Sequence, residues 1–157
     1  MITNKWILGS EDLTLPREIR REVFIEEQHV PAELEMDDED RTAVHAVIFD
    51  DDRCVATGRL WFDGTSFRLG RCAVLREYRG QGIGDLLVRL LLVRAFQSGA
   101  RELTAHAQLH ARAFYERFGF RAVGEPFEEA GIQHVTMVLP VSEAVFPSSC
   151  GDFQRPF

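Results

Sequence analysis

Two periods of apolar and polar residues run along the chain, one of two residues and one of helical spacing. Residues 4 to 9 read as a first strand. A helix is predicted from Pro16, over Arg17 to Glu27, with Ile19, Val23 and Phe24 facing inward; Gln28-His29-Val30-Pro31 ends it, because the residue before a proline resists helical geometry. From Ala43 to Phe49, Val44, Ala46 and Ile48 alternate with His45, Val47 and Phe49, as in a strand. A polar turn, Asp50-Asp51-Asp52-Arg53, leads to a strand over Cys54 to Phe62, and Asp63-Gly64-Thr65 is a hairpin signal before a strand over Phe67 to Val74. Three strands joined by tight turns make an antiparallel meander.

The order then changes to strand, helix, strand, helix, strand. A helix over residues 83 to 98 carries Ile83, Leu86, Leu87, Leu90, Leu91, Val93 and Phe96, with Asp85 and Arg89 spaced to pair, and Gly99 as its C-cap. Glu102 to Ala107 is a strand, His110 to Phe118 a short helix ending at Gly119, Phe120 to Val123 a strand, and Ile132 to Leu139 a last strand stopped by Pro140. The fold class is α/β (α+β): a mixed, mostly antiparallel central sheet with helices on both faces and a parallel crossover after Val74. A ligand crevice is expected where the sheet changes character. One domain over 1–157 is expected, its core at about 4–140, followed by an aromatic tail without period.

Composition narrows the function classes. A net charge of −7 and a pI near 5.2 argue against nucleic-acid binding and favour cationic partners. No apolar run approaches the roughly 18 residues of a membrane span, and residues 1 to 6 lack a secretion signal. Three widely spaced cysteines without a C-x-x-C pair fit neither a disulfide framework nor a cysteine zinc site. A reducing cytoplasm is the expected setting. The histidines show no ligand spacing, so no metal is expected. The acidic run Glu33, Glu35, Asp37, Asp38, Glu39 and Asp40 reads as a solvated loop, or else as a patch that, with Glu26 and Glu27, draws a cationic acceptor to the crevice.

One stretch organises the rest. Cys72-Ala73-Val74 ends a strand, Arg79-Gly80-Gln81-Gly82-Ile83-Gly84 forms a turn, and the apolar helix follows. Glycines at alternate positions leave backbone N–H groups open, and the helix start adds partial positive charge, which together suit a phosphate or pyrophosphate. The turn lacks the Gly-Lys-Ser/Thr ending of a P-loop and does not match G-x-G-x-x-G. It does match R-x-x-G-x-G directly after a strand. Further on, Phe114-Tyr115-Glu116-Arg117-Phe118-Gly119-Phe120 sets Ala111, Phe114 and Phe118 on one buried face with Tyr115 beside it.

These two motifs, in this order, resemble the GNAT superfamily of acetyltransferases. Arg20 to Gln28, Val30-Pro31, His45, Ala107-Gln108 and Glu129 to Met137 resemble its ElaA-like and YjcF-like branch, except that Gln133 stands where that branch has proline before the histidine. The resemblance covers residues 4 to 140 and implies an acyl-CoA N-acyltransferase fold and acetyl transfer from acetyl-CoA to a primary, cationic amine. It implies coenzyme contacts at Cys72, Ala73, Val74, Arg79, Gly80, Gln81, Gly82, Ile83, Gly84, Gln108, Phe114 and Tyr115. Backbone N–H groups near Ala73 and Val74 would serve as oxyanion donors, and Arg76 and Arg79 would meet the phosphates. Tyr115 is the expected general acid. Glu26 and His134 stand beside Glu27, His45 and His106 as candidate bases, with an ordered water as plausible as any of them. Cys72 is expected to be an inert buried thiol. A silent acyl-CoA sensor and an interaction module working through the tail are the competing classes, and monomer and homodimer both remain open.

Overall fold

The computed structural model describes residues 1–147. Seven strands, β1 (Ile2–Leu8), β2 (Val44–Asp50), β3 (Arg53–Phe62), β4 (Phe67–Val74), β5 (Glu102–Gln108), β6 (Arg121–Glu129) and β7 (Ile132–Pro140), form one sheet in the order β1-β2-β3-β4-β5-β7-β6. Every neighbouring pair is antiparallel except β4 and β5. That parallel pair is short. Phe67, Arg68 and Leu69 align with Leu103, Thr104 and Ala105, and beyond Leu69 the two strands part. The cause lies in β4, where one extra residue enters between the positions facing Arg59 and Thr57, with Arg71 at a φ of 50°. A bulge of this kind bends the strand that carries it, and here it opens the sheet.

Helices cover both faces. α3 (Ile83–Gln97) buries Leu87, Val88, Leu91 and Leu92 against one face together with Phe114, Phe118, Met137 and Leu139. It crosses β3 closely at Gly58, where an added Cβ would stand 2.9 Å from Leu91 and 3.1 Å from Leu87. The predicted Asp85–Arg89 pair is present at 2.5 Å, while Val93 turns outward. On the opposite face α1 (Thr14–Arg20) continues into a π-helical turn, Arg21–Glu27. The sequence predicts one regular helix here. The wider turn instead lets the consecutive residues Val23 and Phe24 both pack inward, against Ala73 and Leu75. Such π turns recur at functional sites because they redirect side chains.

The acidic run is only partly a solvated loop. It forms α2 (Ala32–Glu35) and a 3₁₀ turn, Asp38–Arg41, that bury Glu35 and Asp40. Arg20, 1% exposed, donates to Glu35 at 2.8 Å and to Asp40 at 2.7 Å. Arg59 donates to Asp40 at 2.9 Å and to Asp37 at 2.5 Å, and Arg71 reaches Asp37 at 3.2 Å. Three arginines distant in sequence thus match three acids of the run, and only Glu33, Asp38 and Glu39 stay exposed. Burial works to raise Asp37 and Asp40, but the arginine bonds outweigh it and hold both below the ordinary carboxyl range; burial wins at Glu35, which is raised.

The second motif is a 3₁₀ turn, Leu109–Ala111, followed by α4 (Arg112–Glu116), and β6 runs longer than predicted. Phe146 packs edge-on against Phe96 of α3, and the Arg89 guanidinium donates to the Pro147 carbonyl oxygen. The rest of the predicted tail, residues 148–157, lies outside the described residues. Among the described residues no helix is long and apolar enough to cross a membrane.

Candidate active site

Two features meet where β4 and β5 part. The first is the glycine turn. Beyond Val74 the Leu75 N–H donates to Val55 at 2.9 Å, so pairing with β3 persists to that point. Because backbone direction alternates along a strand, the N–H of Val74 then faces the other way, into the open gap; that of Ala73 faces β3. Val74, not Ala73, is therefore the strand donor available to a ligand. Gly80 and Gly82 adopt φ values of 74° and 82°, a left-handed geometry that side chains disfavour, and α3 starts directly after them. Leu86 N–H makes a bond back to Gly82 at 3.0 Å, which leaves the N–H groups of Ile83, Gly84 and Asp85 at the helix start without helical acceptors. Gln81 is exposed, its amide held on the Glu77 carbonyl at 3.0 Å, and the Ile83 side chain is buried.

Arg79 departs from the sequence expectation. Its guanidinium forms a two-pronged pair with Glu27, at 2.7 and 2.8 Å, and its Nε donates to the Val74 carbonyl at 2.9 Å. The charge expected to meet phosphate is already matched, and the side chain ties the glycine turn to the π turn. Arg79 also holds Glu27 below the ordinary carboxyl range, a poor state for a base. Arg76 stays exposed.

The second feature is a cavity of about 420 Å³. Val23, Phe24 and Gln28 border it from the π-turn face, and Cys72, Ala111 and Tyr115, which belong to the core under α3, border it from the other. Residues from opposite faces share one cavity only because the sheet is open between them. Tyr115 is 4% exposed, its ring packed edge-on against Phe114 and Phe120 and its hydroxyl beside the Cys72 thiol, which itself donates to the Gly70 carbonyl at 3.7 Å. Burial pushes the Tyr115 hydroxyl well above 10, and the Cys72 thiol to about 12. Cys72 is thus the inert thiol expected. Phe114 is a core residue outside the cavity lining, a support for Tyr115 and not itself a wall.

The candidate bases separate cleanly. Glu26 is exposed and outside the cavity, so the structure does not place it at the chemistry. His45 is buried with Nε2 on the Asp40 carbonyl at 3.0 Å, away from the cavity, and burial holds it below its ordinary value. His106 and His134 do line the cavity, as does Gln108, whose amide reaches Gln28 at 2.8 Å. Glu129 and Arg71 line it as well, residues that sequence reasoning did not single out for the site. The signal for Arg71 was conformational, a bulge without glycine, and is invisible in composition. Among the described residues no group of three or more His, Cys, Asp or Glu is placed to hold a metal ion.

The split sheet beside a glycine turn at a helix start is the fold of the GNAT acyl-CoA N-acyltransferases. Residues 9–141 match the acetyltransferase (GNAT) domain family, to which this chain belongs. Within it the chain falls in the branch of YjcF and ElaA. It is 36% identical over 121 residues to the uncharacterized N-acetyltransferase YjcF of Bacillus subtilis, covering 76% of this chain and 86% of that one. The crystal structure of an acyl-CoA N-acyltransferase from Pseudomonas aeruginosa superposes with a TM-score of 0.81 at 28% identity, covering 88% of this chain and 99% of that one. Escherichia coli ElaA gives a TM-score of 0.79 at 28% identity, over the same shares.

Proposed function

We propose that the protein transfers the acetyl group of acetyl-CoA to a primary amine by direct attack, with Tyr115 as the group that protonates the departing thiolate. What supports this reading is that the Val74 N–H faces the side where β4 and β5 part, that the N–H groups at the start of α3 lack helical acceptors, and that Tyr115 borders the cavity beside the split. The helix start and the left-handed glycines suit the coenzyme pyrophosphate, because they present N–H groups without side chains in the way. Arg79 has no free charge to add, so the backbone carries that contact. The Val74 N–H suits the thioester carbonyl, whose oxygen becomes negative as the amine nitrogen bonds to carbon.

Cleavage of the C–S bond leaves charge on sulfur. The Tyr115 hydroxyl sits beside the Cys72 sulfur, and a coenzyme sulfur entering the split would find that proton within reach. We assign the amine proton to His134, since it borders the cavity where Glu26 and His45 do not, and Arg68 already occupies Nε2 of His106, the other histidine there. The test is a screen of primary amines with acetyl-CoA, reading thiol release, beside calorimetry of CoA binding. Binding with turnover supports the reading; binding without turnover of any amine reduces the protein to an acyl-CoA sensor.

A further inference from the structure

Resting on that reading, we infer that the turn between β6 and β7 carries the receptor for the acceptor amine: Glu129 Oε2 and His134 Nε2 together bind a primary ammonium, and His134 then takes its proton.

The inference comes from counting hydrogens on the two imidazoles. Arg68 can only donate, and its Nη2 lies 2.8 Å from Nε2 of His106. That nitrogen is therefore an acceptor, and His106 Nδ1 carries the hydrogen, directed at Glu129 Oε1 3.5 Å away. One oxygen of Glu129 is thus satisfied, and the His106 bond holds the carboxyl below its ordinary range. At His134 the order is reversed. Its Nδ1 lies 2.7 Å from the Ile132 carbonyl oxygen, which can only accept, so Nδ1 is the protonated nitrogen. When the ring is neutral, Nε2 is then a lone pair. It lies 3.7 Å from Glu129 Oε2, also an acceptor. In that state two acceptors face each other with no hydrogen between them.

An ammonium resolves that arrangement. It brings three hydrogens to a carboxylate and an imidazole that need donors, and its charge is the one the cavity lacks. Arg59, Arg68 and Arg71 line the cavity, against Glu35, Asp37, Glu39, Asp63 and Glu129. Asp37 pairs with Arg59 and Arg71, Glu35 with Arg71, and Asp63 with Arg68. Glu39 lies exposed at the rim, which leaves Glu129 as the inner acid whose ion-pair partners among the described residues are imidazoles, with Arg71 acting on it from farther off. Val23, Phe24, Val30 and Ile132 supply apolar wall for the rest of the ligand. The ligand class is therefore a primary ammonium on an apolar body.

The site is held rigidly. Phe127 stacks on His134 at 6.0 Å between centroids and meets His106 edge-on at 5.0 Å. The turn itself is tight, with Ala130 and Gly131 at φ values of 53° and 77°. The proton balance is simple: R–NH₃⁺ gives one proton to His134 Nε2, leaving a neutral amine and an imidazolium beside the Glu129 carboxylate. From β5, His106 and Gln108 face this pair, and from β4, Arg68 and Arg71.

The test uses methyl-, butyl- and phenethylammonium as probes, titrated into the full chain without coenzyme and followed by calorimetry and by ¹⁵N spectra of histidine. The wild-type chain should bind phenethylammonium most tightly, and binding should move the His134 Nε2 resonance while Nδ1 stays protonated. Glu129→Gln should weaken binding about tenfold, the low end for a charge-assisted bond because Glu129 is 43% exposed. Glu128→Gln removes the same charge one residue away on the exposed side and should change nothing. Equal binding by the Glu129 and Glu128 variants overturns the proposal, as does failure of the wild-type chain to bind any probe. CoA affinity is measured separately on the same proteins, so loss of the acetyltransferase reading and loss of the ammonium site are told apart.

Discussion

Replacing Tyr115 with Phe removes one hydroxyl and leaves the ring contacts with Phe114 and Phe120, at 5.6 and 5.4 Å, in place. The magnitude follows from what that hydroxyl can do. A coenzyme thiol resembles cysteine, with a pKa of about 8.5 against about 10 for tyrosine, so proton transfer from an ordinary tyrosine is uphill by about 2 kcal/mol. Burial raises Tyr115 further, and the gap widens. Complete transfer thus becomes a late event, and the main contribution shifts to a hydrogen bond that strengthens as sulfur gains charge. A bond to a charged partner is worth about 1.5–3 kcal/mol, which predicts a kcat lower by about 10- to 150-fold. The sign of the pH effect also follows. A raised pKa keeps the hydroxyl protonated above pH 10, so Tyr115 should impose no fall in kcat between about pH 8 and 10. The assay is single-turnover thiol release, which reads chemistry apart from product release, with CoA affinity by calorimetry and a melting curve as controls; both should be nearly unchanged. Wild-type single-turnover rates in the Phe variant would refute the reasoning, as would an alkaline limb near pH 9 that the substitution abolishes.

Other expectations are independent of that step. Gly82→Val puts a β-branched side chain at a φ of 82°, where an ordinary residue costs about 1–2 kcal/mol, and where the coenzyme pyrophosphate is proposed to approach; calorimetry should show CoA affinity lost in a chain that still folds. Asp40→Ala removes a fully buried carboxylate between Arg20 and Arg59 and should destabilise the fold by about 3 kcal/mol, read from urea unfolding, the low end for a broken buried pair because each guanidinium keeps a second acid, Glu35 or Asp37. Stability should fall with pH in two windows. Buried His45 is held neutral, so the unfolded chain binds its proton first, and the stability present above pH about 6.5 is lost below it. The depressed Asp37 and Asp40 contribute above about pH 4 and lose that contribution as the pH falls through their folded values. His45→Gln should abolish the first window and leave the second, which unfolding curves at stepped pH will show.

Local chemistry made much of this protein legible in its residues. The hairpin strands, α3 with its Asp85–Arg89 pair, the glycine turn and the Phe114-Tyr115 motif all depend on contacts within a few positions, and apolar period and turn residues report such contacts directly. The family followed from those motifs, and the antiparallel meander with its parallel crossover from the order of the elements. What sequence could not reach were the encounters between distant segments. Arg79 is a phosphate ligand by motif and a partner of Glu27 in space, because the π turn brings a carboxylate 52 positions away to its guanidinium. Arg20, Arg59 and Arg71 bury half of an acidic run that reads as solvated, since charge pairing across α1, β3 and β4 leaves no periodic mark. His45 and His134 look alike in the chain, and only burial sends one into the core and the other to the cavity. The opening of the sheet, on which every functional argument depends, comes from a single extra residue at Arg71, a register shift that exists only once β3 and β4 are paired.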